Sequence, residues 1–156
     1  MLKQLTRLSI EADGRYATEI ELKFLKDYLD SVEVRLNAYE KIRDQEEEIL
    51  QQWEAVKRNQ KEDLFHMGDY DITEICHRDQ TNSLRMAASA MLLDELALFR
   101  EGLLIWYKTI AKSCKYQVYA KINYLLIQDV IRSYLSLEES ELMIPIFQLK
   151  QTILSS

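Results

Sequence analysis

The stretch Cys76-His77-Arg78-Asp79 places a thiol, a cation and a carboxylate within four consecutive residues. If it forms a helix, Cys76, Asp79 and Ser83 recur at positions i, i+3 and i+7, so the thiol and the carboxylate share one strip of the helix surface. Such a strip can hold a ligand, because a thiol is a nucleophile and a carboxylate accepts hydrogen bonds. The spacing predicts a ligand-binding helix.

Catalytic and metal chemistry at this motif are disfavoured by the same spacing. His77 is adjacent to Cys76, so on a helix it points about 100° away from the thiol, too far for a Cys-His pair. Zinc could draw on Cys76, His77, Cys114 and His66, but the sequence has no Cys-x-x-Cys pair, and haem attachment through Cys-x-x-Cys-His is absent as well. We therefore expect no catalytic residue and no metal ligand, with zinc and haem as minor alternatives.

Composition narrows the class of protein. The 20 Lys and Arg residues oppose 26 Asp and Glu residues, a net charge of −6, which argues against nucleic acid as a partner. The sequence has no run of about 18 apolar residues, and its start lacks the apolar stretch of a signal peptide. Its two cysteines do not form the framework of a secreted protein. We expect one domain over residues 1–156, no integral membrane segment and a cytoplasmic location.

The scarcity of turn residues predicts an all-α fold. Only three glycines and one proline occur, whereas strand-rich folds need a turn about every dozen residues. The apolar spacing predicts a first helix that ends near Asp13-Gly14, and Thr18 with Glu21 forms a capping box for the next helix. That helix has a candidate break near Asp30-Ser31, and a further helix continues to Asn59.

The rest of the chain is predicted to be helical around one loop. We interpret Glu46-Glu47-Glu48 as a solvated helix face and Lys61 to Asp71 as a loop over the site. The motif helix runs from Thr73 to Leu93. Three apolar helices follow, over residues 98–110, 118–134 and 142–153, and the last of them is kinked at Pro145 or begins there.

Two segments of the chain resemble the phycobiliproteins, the globin-like bilin carriers of cyanobacterial phycobilisomes. Residues 12–18, followed by Glu21-Leu22, Ser31 and Arg35-Leu36, are similar to the segment where the N-terminal helices of that family meet the globin core. Cys76-His77-Arg78-Asp79 and the following Leu84-Arg85 are similar to its chromophore helix. The resemblance implies an all-α, globin-like helical bundle, with residues 1–16 as an N-terminal helical extension that packs on a partner.

The resemblance also implies a cofactor, a linear tetrapyrrole similar to phycocyanobilin, joined to Cys76 through a thioether. Asp79 would accept hydrogen bonds from the pyrrole N–H groups of a cationic bilin. Arg78 would pair with a propionate and favour the Cys76 thiolate. The alternative is that Cys76 is a small core thiol, while Arg78 and Asp79 form a surface ion pair that contributes little stability.

An interface follows from the same resemblance. In that family an Asp near the end of the first helix contacts the Arg of a partner's Leu-Arg pair, and Asp13 and Arg85 resemble these two residues. We expect a homodimer, in which both contacts form reciprocally, or a heterodimer with a related globin subunit. The alternative is that both residues are solvated charges on a monomer. The phycobilisome, a bilin lyase and bilin-synthesis proteins are further candidate partners.

The sequence departs from the antenna subunits of that family at several positions. Asn82-Ser83 stand where aromatic residues usually flank the pigment, and Asp94-Glu95 replace a glycine-containing turn. His66 stands where many members have asparagine. We therefore expect a non-catalytic bilin-binding accessory in bilin synthesis, delivery or sensing, at most peripheral to the cytoplasmic face of the thylakoid. A light-harvesting subunit and a pigment-free interaction module are the alternatives.

Overall fold

The computed structural model describes residues 1–60, 62–67, 69–113 and 117–155. Within these ranges the chain forms eight α-helices and a hairpin of two-residue strands, and the predicted all-α fold is confirmed. The helices are α1 (Leu2–Glu11), α2 (Glu19–Asp44), α3 (Glu46–Gln60), α4 (Thr73–Leu92), α5 (Leu96–Phe99), α6 (Ile105–Ser113), α7 (Gln117–Tyr134) and α8 (Leu137–Leu154). No helix in this described part is long and apolar enough to cross a membrane.

The N-terminal helices follow the sequence prediction with one exception. The first helix ends before Gly14, which has a positive φ of 75°, and Thr18 caps α2 in a full capping box with Glu21. The expected break near Asp30-Ser31 is wrong, because α2 runs through it without interruption. The Ser31 hydroxyl is satisfied inside the helix, since it donates to the Tyr28 carbonyl at 3.0 Å.

The core lies where α2, α3, α4, α7 and α8 pack together. Ile42, Trp53, Leu84, Ile127 and Phe147 are almost fully buried there. A capping box between Ser136 and Glu139 starts the last helix well before Pro145, so of the two predicted alternatives, a kink at Pro145 or a helix start there, the second is wrong. The ring of Pro145 is tolerated in mid-helix on the exposed side.

The turn after α4 is held by side chains from α2. Asp94 has a φ of 48°, a conformation that Asp tolerates better than most residues. Its carboxylate accepts a hydrogen bond from Arg35 at 3.1 Å, and Arg35 also donates to the Met91 carbonyl. Tyr28 donates to the Leu92 carbonyl at 3.1 Å. These three hydrogen bonds hold the turn at Asp94-Glu95, where the sequence analysis expected a glycine.

Two irregular stretches were not predicted. Residues 96–113 form one helical run that contains a π-helical turn, Arg100–Leu104, between α5 and α6. Within it, a Cβ at Gly102 would meet the Met86 Cε at 3.3 Å, so the glycine allows a close approach to α4. The expected loop before α4 is partly ordered as a 3₁₀ turn (Glu62–Phe65) and strands β1 (His66–Met67) and β2 (Tyr70–Asp71), while Lys61 and Gly68 lie outside the described residues.

Candidate functional site

A pocket of about 200 Å³ lies between the N-terminal half of α4 and helices α3, α6, α7 and α8. Its walls are largely apolar, formed by Trp53, Ile72, Ile75, Ile110, Ala111 and Leu154. Its polar lining comes from Lys57, Cys76, Asp79, Gln80, Tyr107, Asn123, Tyr124 and Lys150. An apolar cavity with a few convergent polar groups is the usual form of a ligand site.

The motif residues sit at the edge of this pocket, which we call the rim (Cys76, Arg78 and Asp79). As the helical spacing predicted, Cys76 and Asp79 both line the pocket. Arg78 does not line it; its side chain is 68% exposed, and its guanidinium donates two hydrogen bonds to Asp79 Oδ1, at 3.0 and 3.1 Å. Asp79 therefore lines the pocket and also contacts the exposed side chain of Arg78.

His77 is engaged away from the thiol. Its Nδ1 lies 2.7 Å from a carboxylate oxygen of Glu54 on α3. The structure thus agrees with the geometric argument against a Cys-His pair, because the ring of His77 is held against another helix. Among the described residues there is no group of three or more His, Cys, Asp or Glu that could hold a metal ion. Cys114, a candidate zinc ligand, lies outside those residues.

Burial raises the pKa of the half-buried Cys76 thiol. Lys57 opposes this shift, because its positive charge lowers the pKa, whereas the negative charges of Asp79, Glu54 and Asp71 raise it further. The expectation that Arg78 favours the thiolate is therefore corrected: the cation that acts on the Cys76 pKa is Lys57.

Two buried lysines, which the sequence analysis missed, form what we call the floor of the pocket (Lys57 and Lys150). Lys57 is 1% exposed and Lys150 is 2% exposed. The ammonium of Lys57 lies 4.3 Å from the centre of the Phe65 ring, and that of Lys150 lies 4.5 Å from the centre of the Tyr124 ring. Lys150 also donates a hydrogen bond to the Ser83 hydroxyl.

The charged forms of both floor residues are disfavoured. Burial lowers the pKa of Lys57. Burial also lowers the pKa of Lys150, to about 7. The negative charge of Asp79 opposes the shift of Lys150, and the positive charge of Lys57 adds to it. Burial also raises the pKa of Tyr107, and the charge of Asp79 and a hydrogen bond to it raise that pKa further. The pocket therefore holds several titratable groups in an apolar environment, as functional sites often do.

Two buried amides in the pocket, Gln80 and Asn123, have polar atoms without a hydrogen-bond partner among the described residues. Both side-chain polar atoms of Gln80 and the side-chain oxygen of Asn123 make no hydrogen bond within the described part of the chain. Gln80 is 5% exposed and Asn123 is 4% exposed. Each unsatisfied buried group costs roughly 1–3 kcal/mol, so such groups are rare without a reason. A ligand with its own donors and acceptors would satisfy them.

These residues fit a linear tetrapyrrole in chemistry, and partly in size. The rim offers a thiol and a carboxylate, the two amides offer donors and acceptors, and the walls suit apolar rings. The enclosed space of about 200 Å³ is below the roughly 300–1,000 Å³ typical of ligand pockets. A tetrapyrrole would therefore fill the pocket with part of its length and lie across the rim with the rest.

The two residues expected at an interface do not meet within the chain. Asp13 is exposed after the end of α1. Arg85 lies on the outer side of α4, where its guanidinium forms a bidentate ion pair with Glu46 at 2.6 and 2.7 Å. The start of α1 is held to its own chain, since Lys3 donates its backbone N–H to Glu95 at 3.1 Å and its ammonium to Glu101 at 2.8 Å.

Comparison with known proteins agrees with this picture. No curated protein matches the chain. A family model described as phycobilisome protein matches residues 8–152, nearly the whole chain. Proteins of this family are globin-like and all-α, bind linear tetrapyrroles and form oligomers within phycobilisomes. The chain belongs to the phycobilisome protein family.

Proposed function

We propose that the protein is a non-catalytic bilin-binding globin that holds a linear tetrapyrrole through a thioether to Cys76 and serves as an accessory in bilin synthesis, delivery or sensing. The observation that carries this proposal is that Cys76 and Asp79 of the motif line one apolar pocket. The Gln80 amide and the Asn123 side-chain oxygen in the same pocket support it, because they make no hydrogen bond within the described residues.

The residues of the rim and floor account for attachment. The bound tetrapyrrole supplies an electrophilic exocyclic double bond on its first ring. Cys76 adds its sulfur to one carbon of that bond, and the thiol proton ends on the other carbon, so no co-reactant is needed. The charge of Lys57 assists, because it lowers the pKa of Cys76 against the effect of burial.

Three other residues orient the pigment in this proposal. Asp79 accepts hydrogen bonds from pyrrole N–H groups, in place of or beside its present partners Arg78 and Tyr107. Arg78, at the exposed side of the rim, pairs with a propionate in the solvent-facing part of the ligand. Gln80 satisfies its two free polar atoms on the ligand.

The pocket favours a handling role over light harvesting. Bright antenna pigments need a rigid, closely clamped chromophore. Here Asn82 is exposed and Ser83 is buried against Lys150, so neither supplies a wall for the part of the pigment outside the pocket. The light-harvesting subunit and the pigment-free interaction module are the competing functions.

The proposal includes a dimer, with itself or with a related globin subunit, in the cytoplasm or at the cytoplasmic face of the thylakoid. Its interface would use Asp13, Arg85 and the N-terminal segment of residues 1–16. Large apolar side chains are exposed in this segment and just after it, since Ile10 is 72% and Ile20 is 88% exposed. The phycobilisome, a bilin lyase and bilin-synthesis proteins are the other proposed partners.

Attachment and pigment spectra test the function together. Protein produced with phycocyanobilin should carry colour that survives denaturation, seen as zinc-induced fluorescence of the denatured band. Cys76→Ala should abolish this signal, and the matched control Cys114→Ala should keep it. Covalent colour retained in Cys76→Ala would overturn the assignment. Weak fluorescence of the pigment bound to the native protein supports the accessory role. Strong, narrow red fluorescence would support the light-harvesting role. A protein that binds no pigment would support the pigment-free interaction module.

A further inference from the structure

We propose that the pocket floor, Lys57 and Lys150, is a carboxylate-binding subsite, so that the ligand enters with an acid group foremost and its apolar body fills the pocket behind. For a linear tetrapyrrole, one propionate would reach the floor while the other stays near Arg78 at the rim. The identity of the ligand rests on the proposed function; the carboxylate subsite rests on the floor alone.

The burial of the two lysines is the first observation. Lysine is almost never fully buried unless its ammonium is paired. Within the described residues neither Lys57 nor Lys150 forms a salt bridge, and their ammonium groups contact the faces of Phe65, Tyr107 and Tyr124 and the hydroxyl of Ser83. Aromatic faces and one hydroxyl cannot satisfy two ammonium groups, each with three donors. Within the described part of the chain, the floor therefore lacks an anion.

Charge balance is the second observation. Among the described residues, the pocket lining has one carboxylate, Asp79, against the two lysines. Asp79 already accepts two hydrogen bonds from Arg78 and one from Tyr107. The floor is consequently positive whenever its lysines are protonated, and an anion placed there interacts strongly because little water screens the contact.

The walls decide what kind of anion fits. Trp53, Ala111 and Leu154 are buried apolar residues in the pocket lining, so a small hydrated anion would leave apolar surface uncovered. An acid with an apolar body covers it, and the free polar atoms of Gln80 and Asn123 bind any amide-like group on that body. The occupant is thus an amphipathic carboxylic acid, the class to which tetrapyrrole propionates belong.

The subsite also couples binding to proton uptake. A carboxylate beside Lys150 favours the charged amine and raises its pKa from the lowered value of about 7. The groups that face Lys150 from the surrounding helices are Lys57, Asp79, Tyr107 and Tyr124. Affinity for an acid should therefore fall as pH rises above about 7, whereas affinity for the corresponding ester should not.

Biliverdin and its dimethyl ester test the subsite in a Cys76→Ala background, which keeps binding reversible. Biliverdin should bind about ten- to a hundredfold more tightly than the ester, as expected for a charge-assisted hydrogen bond. Adding Lys150→Met should remove this preference, and adding Lys112→Met, a matched change of an exposed lysine on α6, should keep it. Titrations followed by visible absorption measure both affinities, and circular dichroism checks the fold of each variant.

The outcomes separate this inference from the proposed function. Covalent pigment on wild-type Cys76 with equal affinities for acid and ester would overturn the carboxylate subsite while leaving the bilin proposal intact. Decanoate binding that depends on Lys150, without biliverdin binding, would support the subsite and refute the bilin. If Lys150→Met fails to fold, the affinities for biliverdin and its ester are measured as a function of pH on the protein with both floor lysines intact. A preference for the acid that does not weaken between about pH 6.5 and pH 8.5 overturns the inference.

Discussion

The rim and the floor of the pocket carry similar charges in opposite settings. At the rim, Arg78 is 68% exposed and bonded to Asp79, so its charge is both solvated and paired. At the floor, Lys57 and Lys150 are at most 2% exposed and have no carboxylate bonded to them within the described chain. The rim therefore contributes little to stability, and the floor is maintained at a cost. Residues that destabilise a fold and face a pocket are candidates for function.

The largest difference between rim and floor should appear in stability. Lys150→Met should raise the free energy of unfolding near pH 6, by an amount on the order of a few kcal/mol, because an apolar side chain replaces a buried charge. Arg78→Met should change it by less than about 0.5 kcal/mol, as for most exposed positions. Urea unfolding of the ligand-free protein measures both.

The pH dependence of the free energy of unfolding tests whether the buried charge of Lys150 causes this difference. The pKa of Lys150 in the folded state, about 7, lies below its ordinary value, so above pH 7 the unfolded chain binds more protons than the folded one. The free energy of unfolding of the wild type should therefore rise from pH 7 to pH 8, and that of Lys150→Met should rise less. The comparison is limited to pH 7–8 because the pKa of Cys76 is raised in the folded state, so titration of Cys76 lowers the free energy of unfolding at higher pH. Equal slopes in both proteins would contradict a buried Lys150 charge.

A smaller effect should separate Lys57 from Arg78 as the cation that activates Cys76. Lys57→Met should raise the pKa of the thiol and slow its alkylation near pH 8 by roughly three- to tenfold. Arg78→Met should leave the rate nearly unchanged. Iodoacetamide labelling followed by mass spectrometry of the Cys76 peptide gives the rates. A larger effect of Arg78→Met would restore the original assignment of that residue.

The same contrast explains what the sequence could predict. The rim is local: Cys76 and Asp79 are three residues apart, so helical geometry alone places them on one face. The floor combines α3 with α8, and its lysines look like surface residues until the packing is known. The sequence did contain an indication that these lysines are buried. Lys57 lies four positions after Trp53, and Lys150 lies four positions after Ile146, so each lysine shares a helix face with a buried apolar residue. A lysine in an apolar stripe is usually read as an exposed head on a buried stem.

Two other differences from the sequence prediction have separate origins. The α2 helix, predicted to break near Asp30-Ser31, is continuous, and the Ser31 hydroxyl donates to the Tyr28 carbonyl within the same helix. The left-handed Asp94 is held by Arg35, a contact between residues far apart in sequence. Capping boxes, in contrast, are local patterns, and the one at Thr18 was predicted correctly.

The smallest expected effect lies on the outer face of α4, where Arg85 continues the exposed side of the rim. If Arg85 contacts Asp13 of a second copy, it must share its guanidinium with Glu46, which already holds it at 2.6 and 2.7 Å. Asp13→Lys should therefore weaken a dimer by only about two- to fivefold, as for other exposed ion pairs. Adding Arg85→Glu should restore it, because the charges are then exchanged.

Glu46 supplies a sharper version of this test, because it competes with Asp13 for the same guanidinium. Glu46→Gln removes the intramolecular ion pair and should tighten the dimer, whereas Glu47→Gln, its exposed neighbour, should not. Sedimentation velocity over a range of concentrations gives the dissociation constants. A monomeric wild type would rule out this interface. If Arg85 bridges two copies, removing its ion pair with Glu46 must change its affinity for Asp13 of the other copy. A dimer whose dissociation constant is unchanged by both Asp13→Lys and Glu46→Gln would therefore place the contact elsewhere on the chain.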